Sequence, residues 1–286
     1  MPSTRELRRR IRSVKNTAQI TKAMQMVSAT KMRRAQIQAL AGRPYLDALQ
    51  NSLATLISKT SKVSHPLLLE NGSKEKVILV LSSDRSLCGA LNTNIFKKIQ
   101  SYSQEQSNLK FMTIGSKGRN FVVKTEKALE ADFANLETVK FSESAQIARI
   151  LIKQFLNKEI GEVHIIYPHF VSTLSQETRI VKVLPISGLP TDATSKQRLI
   201  QTDILLEPNP ASLLEYVLVH FVEMAVYQTM LETKASEHSA RMISMQNATD
   251  NAKDLASDLN LQYNQTRQAA ITNELLEITS ALAALE

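Results

Sequence analysis

Ser82-Ser-Asp-Arg-Ser-Leu-Cys-Gly-Ala-Leu-Asn92 is the segment of this chain whose residue types come nearest to chemistry. It follows an apolar run and opens a helical pattern, which is where nucleotide folds hold phosphate on the amides of a helix N-terminus. It holds a single glycine, however, and phosphate-binding or dinucleotide fingerprints require more. Gly115-Ser-Lys-Gly118 is placed in the same way and reads as a strand-to-helix turn. Of the five histidines, only His164 and His169 are close in sequence, on either side of Pro168, and structural roles fit all five. Cys88 has apolar neighbours and no partner histidine, which describes a buried, inert thiol. No constellation supports catalysis, and no catalytic, cofactor-binding or metal residue is assigned.

The elements around these segments alternate strand and helix. Lys76-Val-Ile-Leu-Val-Leu-Ser82 is short, β-branched and apolar, as expected of a strand buried on both faces. Residues 91–103 read as a helix and Phe111-Met-Thr-Ile-Gly115 as a second strand. A helix over 142–157 starts from Ser142 as N-cap and carries the stripe Ile147, Ile150, Leu151, Phe155. Val163-His-Ile-Ile-Tyr167 and Thr178-Arg-Ile-Val-Lys-Val-Leu184 add two strands. This alternation predicts an open α/β sheet of Rossmann-like kind.

Long helices flank that sheet. Residues 3–41 contain neither Gly nor Pro, and Leu46, Leu49, Leu53 and Leu56 carry the stripe past Gly42 and Pro44, with a kink allowed there. Residues 58–75 fade into a linker, and 185–210 form a loop. From Ala211 to Glu286 there is again no Gly or Pro. Ala235, His238, Met242, Met245, Thr249, Ala252, Leu255, Leu259 and Tyr263 fall at steps of three and four. An unbroken helix of that length reaches roughly 114 Å, against about 40 Å for a compact domain. It is therefore expected to protrude. Neither terminal helix can bury its stripe alone, so the two pair antiparallel. Level starts leave residues 267–286 as a greasy tip without an internal partner. The expected organisation is an N-terminal coiled-coil helix over 1–58, an α/β domain over 76–190 and a C-terminal coiled-coil helix over 209–286.

Charge supports the pairing. Residues 1–43 carry eleven Lys/Arg against one acid, whereas 207–286 carry four against eleven. Opposite excess favours contact between the two helices over self-association. One cysteine excludes an internal disulfide and fits a reducing compartment. No run approaches the ~18 apolar residues of a membrane span. The arginine-rich start reads as mature helix, because Leu7, Ile11, Val14 and Ala18 continue the stripe, and this favours a bacterial source. Residues 1–44 contain no aromatic, which weakens a nucleic-acid reading of the basic helix.

Ile20-Thr-Lys-Ala-Met-Gln-Met-Val27 with Ser28-Ala-Thr-Lys-Met-Arg33 closely resembles the first helix of the gamma subunit of F-type ATP synthases. Ser83 to Asn92, Ser236-Glu-His-Ser-Ala-Arg-Met242, Ala248-Thr-Asp-Asn251 and Tyr263 to Ile278 resemble the middle and end of that subunit. The likeness covers the whole chain. Ser86 stands where the family has glycine, which bears on turn geometry, and Ala281 replaces another glycine, which favours helix.

The resemblance implies a central rotor shaft, one copy per complex, coupling ion-driven rotation of the membrane c ring to conformational change in the catalytic beta subunits. ATP chemistry would belong to those subunits, with no cofactor here. Lys22, Met24 and Lys31 would face a moving acidic loop of a beta subunit, and Arg85, Arg267 and Gln268 would make polar contacts with beta subunits. Leu275, Leu276, Ile278, Leu282 and Leu285 would form a bearing tip. Asp203, Ile204, Leu205, Leu206 and Glu207 would lie near the c ring. The implied partners are the alpha, beta and epsilon subunits and the c ring, with no nucleic acid, at the cytoplasmic face of a bacterial inner membrane. The alternative of a different class is a coiled-coil adaptor whose basic helix docks on nucleic acid or anionic membrane.

Overall fold

The computed structural model describes residues 3–59, 65–135, 137–187 and 209–283. Helix α1 (Thr4–Lys59) and helix α5 (Pro210–Ala283) bracket a five-stranded sheet. The chain forms two compact units: Met1–Ala29 with Arg241–Glu286, and Thr30–Ala240. No described helix is long and apolar enough to cross a membrane.

In the larger unit, β1 (Lys76–Leu81), β2 (Leu109–Ile114), β3 (Ala128–Phe133), β4 (Glu162–Phe170) and β5 (Gln176–Leu184) stand in the order β3-β2-β1-β4-β5. All neighbours are parallel except β4 and β5, which pair antiparallel. Helices α2 (Leu91–Glu105), α3 (Ser116–Lys124) and α4 (Phe141–Leu156) connect the strands. Strand β1 shows why the sheet has two covered faces. Val77, Leu79 and Leu81 join the core shared with α1, α4 and α5, while Ile78 and Val80 join Ile95, Ile99 and Val122 from α2 and α3. Side chains alternate between faces at period two, so an uninterrupted apolar strand fits only between two helical layers.

Three readings needed correction. Helix α3 and strand β3 escaped the sequence pattern: β3 is an edge strand with the half-exposed alternation Ala128, Leu129, Glu130, Ala131, Asp132, Phe133. Helix α4 begins at Phe141 with Lys140 at the N-cap position, and the Ser144 hydroxyl donates to the Phe141 carbonyl, so Ser142 caps nothing. On α5 the buried seam passes through Ala256, and Leu255 is 49% exposed. After Ala252 both three- and four-residue steps suit a helix, and the larger side chain is not the one the narrow seam accepts.

Along α1, Leu7, Ile11, Val14, Ala18, Thr21, Gln25, Ser28, Met32, Ala35, Ala39, Gly42, Leu46, Leu49, Leu53 and Leu56 are all buried or half-buried. Their steps alternate four and three without a break, the spacing of a coiled-coil seam. Pro44 lies inside the helix without ending it, although a helix-interior proline costs about 3 kcal/mol. Continuing seam burial at Leu53 and Leu56 offsets that cost.

In the smaller unit the Thr21 and Thr249 hydroxyls hydrogen-bond to each other at 2.7 Å, and Thr249 lies within donating distance of the Met245 carbonyl. In the larger unit Gln228 Nε2 donates to the Ala39 carbonyl, and Tyr45 Oη meets His220 Nε2. Partner numbers fall as α1 numbers rise within the larger unit, so its helices run antiparallel there. Between Val222 and Glu237 helix α5 is buried nearly all round, including Glu223, Gln228, Glu232, Lys234 and Glu237. A one-face stripe does not predict that; the segment lies between α1 and the sheet.

At the opposite strand ends, Lys76 and Lys182 both donate to Glu162 (2.9 and 2.8 Å). Burial alone would raise the Glu162 carboxyl, but the two ammonium groups outweigh it and hold it at about 2. Burial lowers the neighbouring His164 imidazole, which therefore stays neutral beside the Tyr102 hydroxyl. Both groups have depressed folded-state pKa values, so their stabilising effect is present at neutral pH and lost as pH falls. The His164 contribution fades below about 6.5 and that of Glu162 between about 4.5 and 2. Glu162→Gln is expected to remove the lower of these two losses. Urea melts at pH 7, 5 and 3 check this: a variant whose stability falls between pH 5 and 3 as steeply as the parent would contradict the assignment.

Candidate functional site

The phosphate position of an α/β sheet is the crevice at the carboxyl end of the central strand, where helix N-termini point. Here that crevice is filled by the chain itself. Ser116 N–H donates to Asp84 Oδ1 (2.9 Å), Lys117 N–H to the Ser83 carbonyl (3.1 Å) and Gly118 N–H to Ser82 Oγ (2.8 Å). The first three amides of α3, which a phosphate there would need, are therefore satisfied by the three residues that follow β1. Asp84 supplies the negative charge that the helix dipole favours. Gly115 sits at φ +104, and a Cβ there would strike the Ser82 carbonyl, so β1 and α3 approach too closely for a ligand to enter. Asn135 Nδ2 donates to that same carbonyl at 3.2 Å.

The rest of the segment is held in the same way. Asn92 Nδ2 donates to Ser83 Oγ (2.8 Å) and to Cys88 Sγ (3.2 Å), and Cys88 is buried. The left-handed residues of the turn are Leu87 (φ +65) and Gly89 (φ +59), one position to either side of Cys88. Ser86 is not among the positive-φ residues, so the family's glycine is not needed at that position for its backbone angle. Among the described residues no group of three His, Cys, Asp or Glu could hold a metal ion.

The contact residues expected from sequence are distributed over both units. In the smaller unit Lys22 is exposed and donates to Gln25 Oε1 (3.3 Å), and Met24 is half-buried. Arg267 and Gln268 are exposed on α5. Leu275, Leu276 and Ile278 are each 58% exposed, and every described side chain from Ile271 to Ser280 is open to solvent. The side chain of Leu282, and Leu285 as a whole, lie outside the described residues. In the larger unit Arg85 is exposed in the turn after β1. Lys31 has an internal partner, Glu137, at 2.5 Å. The hydrogen bond and charge of Lys31 hold the Glu137 carboxyl below its ordinary range. Asp203, Ile204, Leu205, Leu206 and Glu207 all lie outside the described residues.

Two features were missed in the sequence. Ile20 and Val27 are 61% and 55% exposed, one heptad apart on the outer side of α1. They belong to no seam step, and that off-seam position was the available signal. Helix α1 also shares with α5, in the smaller unit, an open groove of about 440 Å³ whose lining includes Lys15, Ala18, Gln19, Ala252, Lys253 and Ala256. Small seam residues leave that space.

The family model described as ATP synthase matches residues 3–285. The chain is 42% identical over 294 residues to the ATP synthase gamma chain of Methylacidiphilum infernorum, covering all of both chains. Its fold is similar to a chain of the Euglena gracilis mitochondrial ATP synthase, OSCP/F1/c-ring, in rotational state 3, with 22% identity. That likeness has a TM-score of 0.71 and covers 99% of this chain and 94% of the other. A chain of the rotor of the same enzyme in rotational state 1 gives a TM-score of 0.66 at 21% identity, over 94% and 98%.

The sealed crevice generates an expectation. Asp84→Ala removes an anion that caps α3 and should cost about 1 kcal/mol, lowering the melting temperature by roughly 2–4 °C for a unit of this size. ATP binding by the free chain should stay at background in parent and variant, as read by fluorescent-nucleotide titration. Saturable binding by the parent would show that the crevice opens.

Proposed function

The chain belongs to the family of ATP synthase gamma chains, and from that premise we infer that it is the central rotor shaft of an F-type ATP synthase. The observation that carries this is identity of 42% over 294 aligned positions to a gamma chain. The physical reading agrees with it. The leading amides of α3 are taken up by Ser82, Ser83 and Asp84, which argues against a phosphate at that helix; ATP turnover is accordingly assigned to partner subunits, with this chain as a non-catalytic subunit. The proposed partners are a catalytic head of alpha and beta subunits and a membrane c ring, in keeping with a similar fold in an F1/c-ring assembly. An epsilon subunit and a location on the cytoplasmic face of a bacterial membrane complete the proposal.

The mechanism requires asymmetry. Two paired helices have no three-fold axis, so they present different surfaces to three otherwise identical catalytic sites and hold them in different states. Rotation exchanges those states, and the energy comes from the difference in contacts that each state makes with the shaft. Lys22, Met24 and Lys31, with Arg85, Arg267 and Gln268, supply the polar and adaptable contacts toward beta subunits. Leu275, Leu276 and Ile278, with Leu282 and Leu285, act as a bearing, and Ile20 and Val27 extend the apolar surface on the outer side of α1. Apolar contact is non-directional, so it does not have to be broken bond by bond at each step. Residues Asp203 to Glu207 take the c-ring side.

Reconstitution tests the reading. The chain mixed with alpha and beta subunits should yield a complex in which a probe on the chain rotates during ATP hydrolysis; failure to assemble would overturn it. Within that complex, Lys22→Glu with Lys31→Glu should lower coupled ATP synthesis several-fold, while the free chain melts only slightly lower because Lys31 loses its exposed pair with Glu137. Unchanged synthesis would remove these two lysines from the torque contact. Deletion of residues 282–286 should leave melting of the free chain unaltered and reduce complex yield. Burial of Leu282 and Leu285 in a socket would contribute a few kcal/mol. A drop of many degrees in the free chain would mean that the tip packs within this protein.

A further inference from the structure

We propose that a buried polar cluster centred on Glu232 is the joint that locks the sheet to the terminal helices against twisting, so that Glu232, Arg43, His169 and Gln228 position the shaft for torque transfer. The proposal rests on the rotor reading above and adds to it the place where the load passes. The Glu232 side chain is 5% exposed and takes donors from three elements. Arg43 on α1 donates through Nε to Oε1 at 3.0 Å, and its Nη2 donates to the Phe170 carbonyl at the end of β4 (2.7 Å). His169, also on β4, pairs through Nδ1 with Oε2. Gln228, one turn back on α5, donates to Oε1 at 3.2 Å and to the Ala39 carbonyl of α1 at 2.8 Å.

The neighbouring groups complete the ring. Tyr167 packs edge-on against His169, and burial, reinforced by Glu232, pushes its hydroxyl up to about 12, so it stays neutral. Across the antiparallel ladder His169 faces Glu177 and Tyr167 faces Arg179. Further along α5, Ser236 donates to the Pro168 carbonyl (2.8 Å) and Ser239 to the Thr173 carbonyl (2.6 Å). Positions 232, 236 and 239 form one helical face, and all three hold the end of β4 and the turn after it.

Elsewhere α5 meets the sheet through aliphatic side chains such as Leu214, Leu218, Val222 and Val226. Such contacts resist separation but resist sliding weakly, because they have no preferred direction. Hydrogen bonds to a buried carboxylate do have one, and leaving any of them unmade in a dry site is costly. A single carboxylate shared by α1, β4 and α5 means that turning α5 about its axis strains bonds to both other elements together. Gly42 makes the arrangement possible, since a Cβ there would occupy the position of Gln228 Oε1.

The experiment uses the assembled complex of this chain with alpha and beta subunits, with the head immobilised. A probe is attached through Ser101→Cys, an exposed position on α2, and Cys88 is buried and does not compete. The angular variance of the probe at a stalled position is inversely proportional to the torsional stiffness of the shaft. Glu232→Gln should raise that variance at least two-fold. Gly42→Ala, whose Cβ would push Gln228 aside, should raise it as well, with alanine's better helix propensity offsetting part of the loss in melting temperature of the free chain. A merely structural role would lower melting temperature and complex yield and leave the variance of assembled complexes unchanged. Equal variance in parent and Gly42→Ala complexes would overturn the joint, whereas failure of the parent chain to assemble would overturn the rotor reading instead.

Discussion

A helix of fifty residues gains little net stability in water from its own hydrogen bonds; an apolar stripe pressed against a partner keeps it folded. Helix α1 meets that constraint with a seam that alternates four- and three-residue steps from Leu7 to Leu56. The residues on the seam change along its length. Leucines dominate near Leu53 and Leu56, while Ala35, Ala39 and Gly42 occupy the stretch that meets the buried part of α5. Small seam residues bring helix axes close together, and that proximity is what allows one carboxylate on α5 to receive donors from α1 and the sheet at once.

The closed crevice is the counterpart of this arrangement. The sheet has the strand order and helix placement of nucleotide-binding domains, yet the three leading amides of α3 are bonded to Ser82, Ser83 and Asp84. A fold does not carry a function with it; the residues at its switch point decide. Here they tie two connections together. The sheet carries a polar cluster around Glu232 on one face and Glu162 between two lysines on the other.

Period and punctuation made most of the architecture legible. Long runs free of Gly and Pro gave the terminal helices, and the uninterrupted apolar run of β1 implied two covered faces. Strand β3 was not legible because an edge strand alternates Glu130 and Asp132 with small and apolar residues and resembles a loop in composition. The misplacement of Leu255 came from equating size with burial, whereas the seam selects Ala256 for its narrowness. The Glu232 cluster was invisible for a different reason. Its members lie 189 and 63 residues apart, and no local spacing announces a carboxylate shared between chain segments so distant. The expected contact residues came from resemblance, and geometry supplied their surroundings: Lys31 already holds Glu137, and the apolar tip is bare.

The pairing of Thr21 with Thr249 has a consequence for synthesis. The two residues are separated by 228 positions, so α1 leaves the ribosome long before its seam partner exists. At 5–20 residues per second the interval is on the order of 10–50 s, far longer than the microseconds a helix needs to form or collapse. During that time a basic, half-apolar segment must avoid other partners while the sheet folds behind it. Its eleven positive charges keep copies of the nascent segment apart; Glu137 offers Lys31 a partner on the way, and the acidic last helix brings the larger opposite charge. One face of the sheet waits as well, because Leu214, Leu218 and Val222 of the last helix share a core with Val77 and Leu79, so the chain's last segment completes both.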